Sequence, residues 1–161
     1  MGFFKKLFGK PVDSVCAPLA GKAVPVTEVP DPTFAEGMLG NGIAIKPTDG
    51  KVYAPVNGTV DTMFETGHAV SLVSDNGIEI LIHVGLETVG LNGAPFQVKC
   101  KSGQKVKKGD LLFVADLDAI AAAGLPTITP VLVCNSDDYT TFNATTGKTV
   151  AQGEVVIQLD K

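Results

Sequence analysis

His68-Ala-Val-Ser-Leu-Val-Ser-Asp-Asn-Gly-Ile-Glu-Ile-Leu-Ile-His83 is the stretch from which the rest of this chain is read. Two runs rich in β-branched residues flank Asn76-Gly77, the dipeptide that favours a two-residue hairpin turn because both central positions take positive φ. Such a turn pairs Asp75 with Ile78, and by extension His83 with Val70 and His68 with Gly85. Side chains alternate along a strand. In that register His68 and His83 share one face as diagonal neighbours, with Cα atoms roughly 7–8 Å apart. Ile78, Ile80, Ile82 and Val84 form a continuous apolar set on the other face, suited to a core. A one-residue bulge at the tip would place the two histidines on opposite faces and defeat this expectation.

The same strand-and-turn pattern extends outward. Candidate strands are Ser14–Ala17, Gly21–Pro25, Gly42–Pro47, Lys51–Ala54, Gly58–Met63, His68–Ser74, Ile78–Val84, Phe96–Val98, Leu111–Ala115, Thr129–Cys134 and Glu154–Gln158. Asp49-Gly50, Asn57-Gly58 and Asn92-Gly93 mark further turns. Helical signals are few. Asp31-Pro32 starts a short turn running to Glu36, and Asp116–Ala123 reads as a short helix stopped by Gly124 and Pro126. Two internal echoes stand out: Ser102–Asp116 matches Thr146–Asp160 through Gly-x-x-Val-x-x-Gly-acid, and Ala17–Val24 matches Ala54–Asp61. The expectation is an all-β protein, an antiparallel sandwich or partly closed barrel with an internal pseudo-repeat and a few short helical turns.

Composition agrees. With 161 residues the chain is long enough for one domain with its own core. Gly 18 and Pro 10 against few aromatics suit short strands and tight turns rather than a helix bundle. All 13 cations are lysine, and the formal charge is −4, so neither a basic excess nor arginine forks point to nucleic acid. Cys16, Cys100 and Cys134 have no CxxC spacing and read as small buried thiols in a reducing compartment. The charge is uneven. Met1–Lys10 has three lysines and no acid, and on a helix Phe3, Phe4, Leu7 and Phe8 make one apolar stripe. This segment, taken with its flank as a 1–13 unit ahead of a 14–161 domain, is expected to be flexible and suited to an anionic membrane interface. It is too short to span a bilayer.

His68 and His83 are the only histidines. Facing imidazoles admit two chemistries. A zinc site would need a third ligand, for which Glu65 and Glu87 are the nearby acids. Nucleophilic catalysis would instead let one neutral imidazole accept a transferable group while the other hydrogen-bonds it. Thr66, two residues before His68, is placed to orient it. The amide of Gly85, with no Cβ in the way, is placed to meet an oxygen bound on His83.

Phe64-Glu-Thr-Gly-His68-Ala-Val, Ile82-His83-Val-Gly-Leu-Glu-Thr-Val89 and Gly103-Gln-Lys-Val-Lys-Lys-Gly-Asp110 resemble the enzyme IIA component of the glucose family of the sugar phosphotransferase system. Gly42–Pro47, Ala54–Gly58 and the Thr129-Pro-Val stretch add to the likeness, which runs in order from about Ala17 to the C-terminus. The resemblance implies an antiparallel β-sandwich with a shallow active site. It implies that His83 is phosphorylated, at the tele nitrogen, that His68 binds the phosphoryl group and that Thr66 orients His68. It also implies the phosphocarrier HPr as donor, a cysteine of the IIB domain of a sugar permease as acceptor, no cofactor, and a cytoplasmic protein peripheral at the inner face of the membrane. Glu87 stands where the family often has Asp, and Gly67 where a larger polar residue is common; the latter substitution is expected to loosen the turn before His68.

The absence of arginine fits a site that must hold a phosphoryl group without over-stabilising it, with Lys46 or a partner's cation as the remaining charge. Leu39, Phe64, Val70 and Leu81, with Glu87 at the rim, form the expected partner surface. Lys99, Lys101, Lys105, Lys107 and Lys108 read as a solvated face. Three other functions fit parts of the pattern. A biotinyl or lipoyl carrier would need a lysine at its hairpin tip, where this chain has Asp75-Asn76-Gly77. A zinc-dependent hydrolase would use the histidine pair, and a purely regulatory binding module would use the surface alone.

Overall fold

In the computed structural model, residues 13–161 are described. Met1–Lys10, the candidate membrane segment, lies outside the described residues. Fourteen strands are present among the described residues: β1 (Asp13–Cys16), β2 (Gly21–Pro25), β3 (Asn41–Pro47), β4 (Lys51–Tyr53), β5 (Gly58–Met63), β6 (Ala69–Ser74), β7 (Glu79–His83), β8 (Phe96–Val98), β9 (Lys105–Val106), β10 (Leu111–Ala115), β11 (Thr129–Val133), β12 (Thr141–Ala144), β13 (Lys148–Val150) and β14 (Val155–Asp160). Two short helices accompany them. In α1 (Pro32–Ala35) the Asp31 carboxylate caps Thr33 N–H at 3.0 Å, and in α2 (Leu117–Ala122) Asp116 caps Ala119 N–H at 3.0 Å. Both helices start where the Asp-Pro and Asp-Leu-Asp signals place them. No described helix is long and apolar enough to cross a membrane.

The strands form an eight-stranded antiparallel sheet in the order β13-β2-β3-β11-β7-β6-β5-β9 and two three-stranded sheets, β1-β14-β12 and β4-β10-β8. One apolar core draws on all three: Ile43, Ile80 and Val131 from the large sheet, Ile157 and Leu159 from one small sheet, Val52 and Phe113 from the other.

The internal echoes become paired corners. β1-turn-β2 and β4-turn-β5 are the two copies of one echo, and β13-turn-β14 and β9-turn-β10 the two copies of the other. Each corner of the first kind clasps one of the second: β1 pairs with β14 and β2 with β13, as β4 pairs with β10 and β5 with β9. The backbone repeats the match bond for bond. Cys16 N–H donates to Pro55 O (3.0 Å) and Tyr53 N–H to Pro18 O (2.8 Å), tying the corners reciprocally. Ala17 N–H donates to Glu154 O as Ala54 N–H does to Asp110 O, at 2.7 and 2.8 Å. The short strands β9 and β13 lie within the echoed Gly-x-x-Val segment. They were not among the expected strands, and neither was β12. At two to four residues each, they carry too little alternation to register as strands locally.

The β6–β7 register differs from expectation by one residue. Ala69 pairs with His83, Val70 with Ile82 and Leu72 with Ile80. The tip is a three-residue loop, Asp75–Gly77, closed by Ser74 N–H to Ile78 O (2.8 Å) and by Gly77 N–H to Ser74 O (2.9 Å), with Gly77 at φ 90°. The Ser74 hydroxyl also accepts from Ile78 N–H at 2.8 Å. Burial selects this pairing. Val70 and Leu72 are 0% and 1% exposed, as are Ile82 (0%) and Ile80 (0%), so apolar faces oppose apolar faces. The Asp75–Ile78 pairing would oppose Ile80 to Val73, which is 37% exposed. Misplacing two such residues would forfeit about 1.5–3 kcal/mol each, more than an ideal two-residue turn contributes. The apolar face Ile78, Ile80, Ile82 and Val84 is buried as expected. Cys134 is exposed, unlike the buried Cys16 and Cys100.

The outer face of the large sheet carries its own smaller cluster. Val24, Ala44 and Leu132, from strands whose neighbouring residues point into the main core, pack with Phe34 of α1, Leu86 and Ile128, and Leu81 lies half-buried against them. Val26–Glu28 and α1 therefore cap this outer face, and the next outward residue along β7 after Leu81 is His83.

Candidate active site

His83 ends β7 on the capped outer face, its ring centroid 5.0 Å from that of Phe34. His68 lies at the bend that joins β5 to β6. By pleat count it would follow Val70 and Leu72 into the core. The Phe64–Gly67 turn, closed by Gly67 N–H to Phe64 O at 2.8 Å, takes it out of the ladder. The two imidazoles meet edge to face with centroids 4.9 Å apart. The expected meeting of the histidines is thus found, although the register expected to produce it is not. The link between the two segments is the bond from Val84 N–H to His68 O at 2.8 Å.

Each imidazole is held at Nδ1. The Thr66 hydroxyl lies 2.7 Å from His68 Nδ1. His83 Nδ1 lies 2.8 Å from the carbonyl oxygen of Gly85. A carbonyl only accepts, so His83 Nδ1 carries a proton and donates it, which leaves the Nε2 lone pair free in the neutral ring. Burial lowers the His83 pKa below 6.5; the Gly85 and His83 carbonyls, and then Asp31 and Glu87, oppose that shift. Burial, followed by repulsion from His83, pushes His68 down to about 4. At neutral pH the site therefore holds two neutral imidazoles, one with an available nucleophilic nitrogen.

Two glycines are fixed by space as well as by conformation. Gly85 has φ 76°, and a Cβ there would meet Thr88 Cγ2 at 2.6 Å and Pro126 O at 2.8 Å. Gly67 has φ 70°, and a Cβ there would meet Phe96 Cβ at 2.8 Å. Gly67 therefore does not loosen the turn; Phe96 packs against it and occupies the space a side chain would need.

The expected partner surface divides. Leu39 and Phe64 are exposed (39% and 37%), Phe64 with its ring 5.5 Å from that of His68. Glu87 is exposed beside the site, in the left-handed region at φ 61°. Val70 is not on this surface: it is fully buried opposite Ile82. Leu81 is half-buried against the outer cluster. Met38, 73% exposed and next to Leu39, was not singled out from the sequence. Nor were Phe34 and Thr88 or the proximity of Asp31 to His83, all of which depend on distant segments being brought together. A cleft of about 330 Å³ between Asp31 and Glu87 is also lined by Pro30, Pro32, Leu86 and Pro126. Lys46 faces Glu28 at 3.8 Å, and Lys105 is bonded to Asp75 at 2.8 Å.

Among the described residues no three His, Cys, Asp or Glu side chains are gathered to hold a metal ion. Neither Glu65 nor Glu87 is gathered with the two histidines into such a group.

The profile of the phosphoenolpyruvate-dependent sugar phosphotransferase system EIIA 1 family matches residues 13–139. The chain belongs to this family. It is 40% identical over 157 residues to the glucose-specific EIIA component of the phosphotransferase system from Buchnera aphidicola, covering 98% of this chain and 97% of that protein. It is 43% identical over 158 residues to the corresponding component from Bacillus anthracis, covering 96% of each. Among solved structures, glucose permease IIA from Mycoplasma capricolum superposes with a TM-score of 0.85 at 34% identity, over 92% of this chain and 96% of that one. The protein is an EIIA phosphocarrier component, part of a phosphotransferase system.

Proposed function

We propose that His83 Nε2 accepts a phosphoryl group from the histidine of phospho-HPr and passes it to the cysteine of a IIB domain, with His68 and Thr66 assisting. The observation that carries this reading is the pair of neutral imidazoles 4.9 Å apart, with His83 anchored through Nδ1 to the Gly85 carbonyl. The Nε2 lone pair attacks phosphorus, the donor's N–P bond breaks, and the donor imidazole leaves with that electron pair. Nδ1 keeps its proton throughout, hydrogen-bonded to the Gly85 carbonyl. This keeps the phosphorylated ring a good leaving group for onward transfer, where a thiolate takes the phosphoryl group and His83 regains its lone pair. With the Thr66 hydroxyl donating to His68 Nδ1, His68 presents Nε2–H as a donor to the transferred oxygens, and the Gly85 amide is a second donor. Neither imidazole carries a full positive charge in the resting site, so the phosphoryl group is held without an ion pair that would trap it.

The exposed apolar residues Met38, Leu39 and Phe64, the last with its ring against His68, supply the docking surface in this reading, and the acids Asp31 and Glu87 near His83 meet a partner's cations. The named relatives are glucose-specific, and the reading follows them to a glucose-type permease at the cytoplasmic side of the membrane. Met1–Lys10 would add affinity for anionic lipid.

Incubation with enzyme I, HPr and labelled phosphoenolpyruvate tests the assignment. His83→Ala is expected to take up no label. His68→Ala is expected to take it up but to transfer it poorly to IIB. Label persisting on His83→Ala would overturn the reading. Deleting residues 1–10 should weaken binding to vesicles containing anionic lipid and leave labelling by HPr unchanged; equal binding by both forms would rule out the lipid contact.

A further inference from the structure

We infer that Thr88 is a positioning residue for phosphotransfer: its hydroxyl fixes the Val84–Gly85 peptide and so aims the Gly85 carbonyl at His83. The inference rests on the phosphotransfer reading above and adds to it a residue whose hydroxyl bonds the backbone at Val84.

The need for such a residue follows from Gly85. Its φ of 76° is one that glycine adopts without strain but with no local preference, so the chain around it does not by itself hold the carbonyl in one direction. Yet that carbonyl decides which nitrogen of His83 is free. Tertiary bonds must therefore set it. Three surround it. Val84 N–H donates to His68 O at 2.8 Å, and Leu86 N–H donates to Pro126 O at 3.2 Å. The Thr88 hydroxyl donates to Val84 O at 2.6 Å. The Leu86 bond holds the Gly85–Leu86 plane that carries the carbonyl itself, and the Thr88 bond holds the Val84–Gly85 plane before it, so Thr88 fixes the N-terminal side about which the glycine would otherwise turn.

Thr88 is shaped for this. It is completely buried, an unusual place for a hydroxyl unless it has a partner. Its methyl is the atom nearest to a Cβ built on Gly85, at 2.6 Å, so one side chain bonds the carbonyl before Gly85 and packs against its Cα. Glu87, next to it, is held in the left-handed region at φ 61°, an uncommon conformation for a non-glycine residue. The Val84–Thr88 loop is thus drawn tight at two left-handed residues, with the threonine closing it. Val84 donates its N–H to His68 O and accepts from the Thr88 hydroxyl at its own O, so Thr88 also braces the residue that links the two histidine segments.

The test compares Thr88→Val, which keeps the methyl and the shape, with Thr88→Ser, which keeps the hydroxyl. The tautomer of His83 is read by 15N imidazole NMR on unphosphorylated protein near pH 7, alongside the rate of labelling by phospho-HPr. Wild type should show His83 protonated on Nδ1 alone. Thr88→Val should show a mixture of tautomers and labelling slowed about tenfold, the order expected for the loss of one buried hydrogen bond. Thr88→Ser should restore the single tautomer and most of the rate. A single Nδ1–H tautomer with wild-type labelling in a folded Thr88→Val protein would overturn the inference. So would equal disturbance in both variants, because packing and not the hydroxyl would then set the loop. Failure of wild type to accept label would instead strike the proposed function and leave the tautomer measurement standing.

Discussion

Ile82 and His83 are adjacent on one strand and serve opposite faces of the eight-stranded sheet. Ile82 is fully buried in the main core, paired with Val70. His83 lies on the outer face beneath α1, against Phe34. The inner face is built by redundancy: many aliphatic side chains in mutual contact, each replaceable at a cost in stability. The outer face is sparser: Phe34 of α1 packs on the His83 ring and the Gly85 carbonyl anchors it. Strand alternation thus separates stability from chemistry at a distance of one residue.

The largest contrast is expected between two neighbouring alanine variants. His83→Ala should lose labelling by phospho-HPr entirely while its unfolding free energy changes by less than about 1 kcal/mol. Ile82→Ala should cost about 2–5 kcal/mol in denaturant unfolding, while the molecules still folded accept label at the normal rate. If Ile82→Ala abolished labelling of folded protein, the two faces would not be separable as described.

Gly85→Val should come next. It combines positive φ with contacts under 3 Å to Thr88 and Pro126, and is expected to slow labelling more than a hundredfold and to lower the melting temperature. A Gly77→Ala variant is the control. Its φ is also positive, but nothing lies within 4 Å of the added methyl. It should cost about 1–2 kcal/mol of stability with labelling unchanged.

The acid response should be smaller and has a definite sign. His68 is held down at about 4 in the folded protein against 6.5 unfolded. Between those values the unfolded chain binds the extra proton, so this histidine's contribution is fully in place above pH 6.5 and is lost as pH falls toward 4. His83, also lowered by burial, adds in the same direction. Urea unfolding of wild type against His68→Gln should show the variant losing less stability across that window; parallel curves would mean that His68 is not the buried neutral ring described here.

The smallest effect is expected at the rim. Phe64→Ser should raise the KM for phospho-HPr several-fold and leave the maximal rate within twofold, as for one residue of a docking surface. A drop in maximal rate alone would place Phe64 in the chemistry through its contact with His68.

Much of this was legible because it is local. The helix caps at Asp31 and Asp116, eleven of the fourteen strands and the inward face Ile78-x-Ile80-x-Ile82 are written in neighbouring residues. The echoes announced the paired corners, though which copy clasps which depends on contacts between halves of the chain. The hairpin register was misjudged because Asn76-Gly77 is a strong local signal that a non-local one overrides: Val70 and Leu72 had to face Ile82 and Ile80. That signal was present in the alternation Val70-x-Leu72-x-Ser74, and it wins because burying two aliphatic side chains outweighs a turn preference. Val70 was misplaced on the partner surface for the same reason.

By itself, the sequence determined the β class, the identity of the two histidines, and the threonine and glycine beside them, since these follow from residue type, spacing and the family pattern they share. Only the tertiary structure decided how Nδ1 of His83 is tied up by the Gly85 carbonyl, that the His68 segment meets it at Val84, and that Phe34, Asp31 and Thr88 stand around the site. Those outcomes depend on hydrogen bonds and packing between segments far apart in the chain, whose free energies no local pattern records.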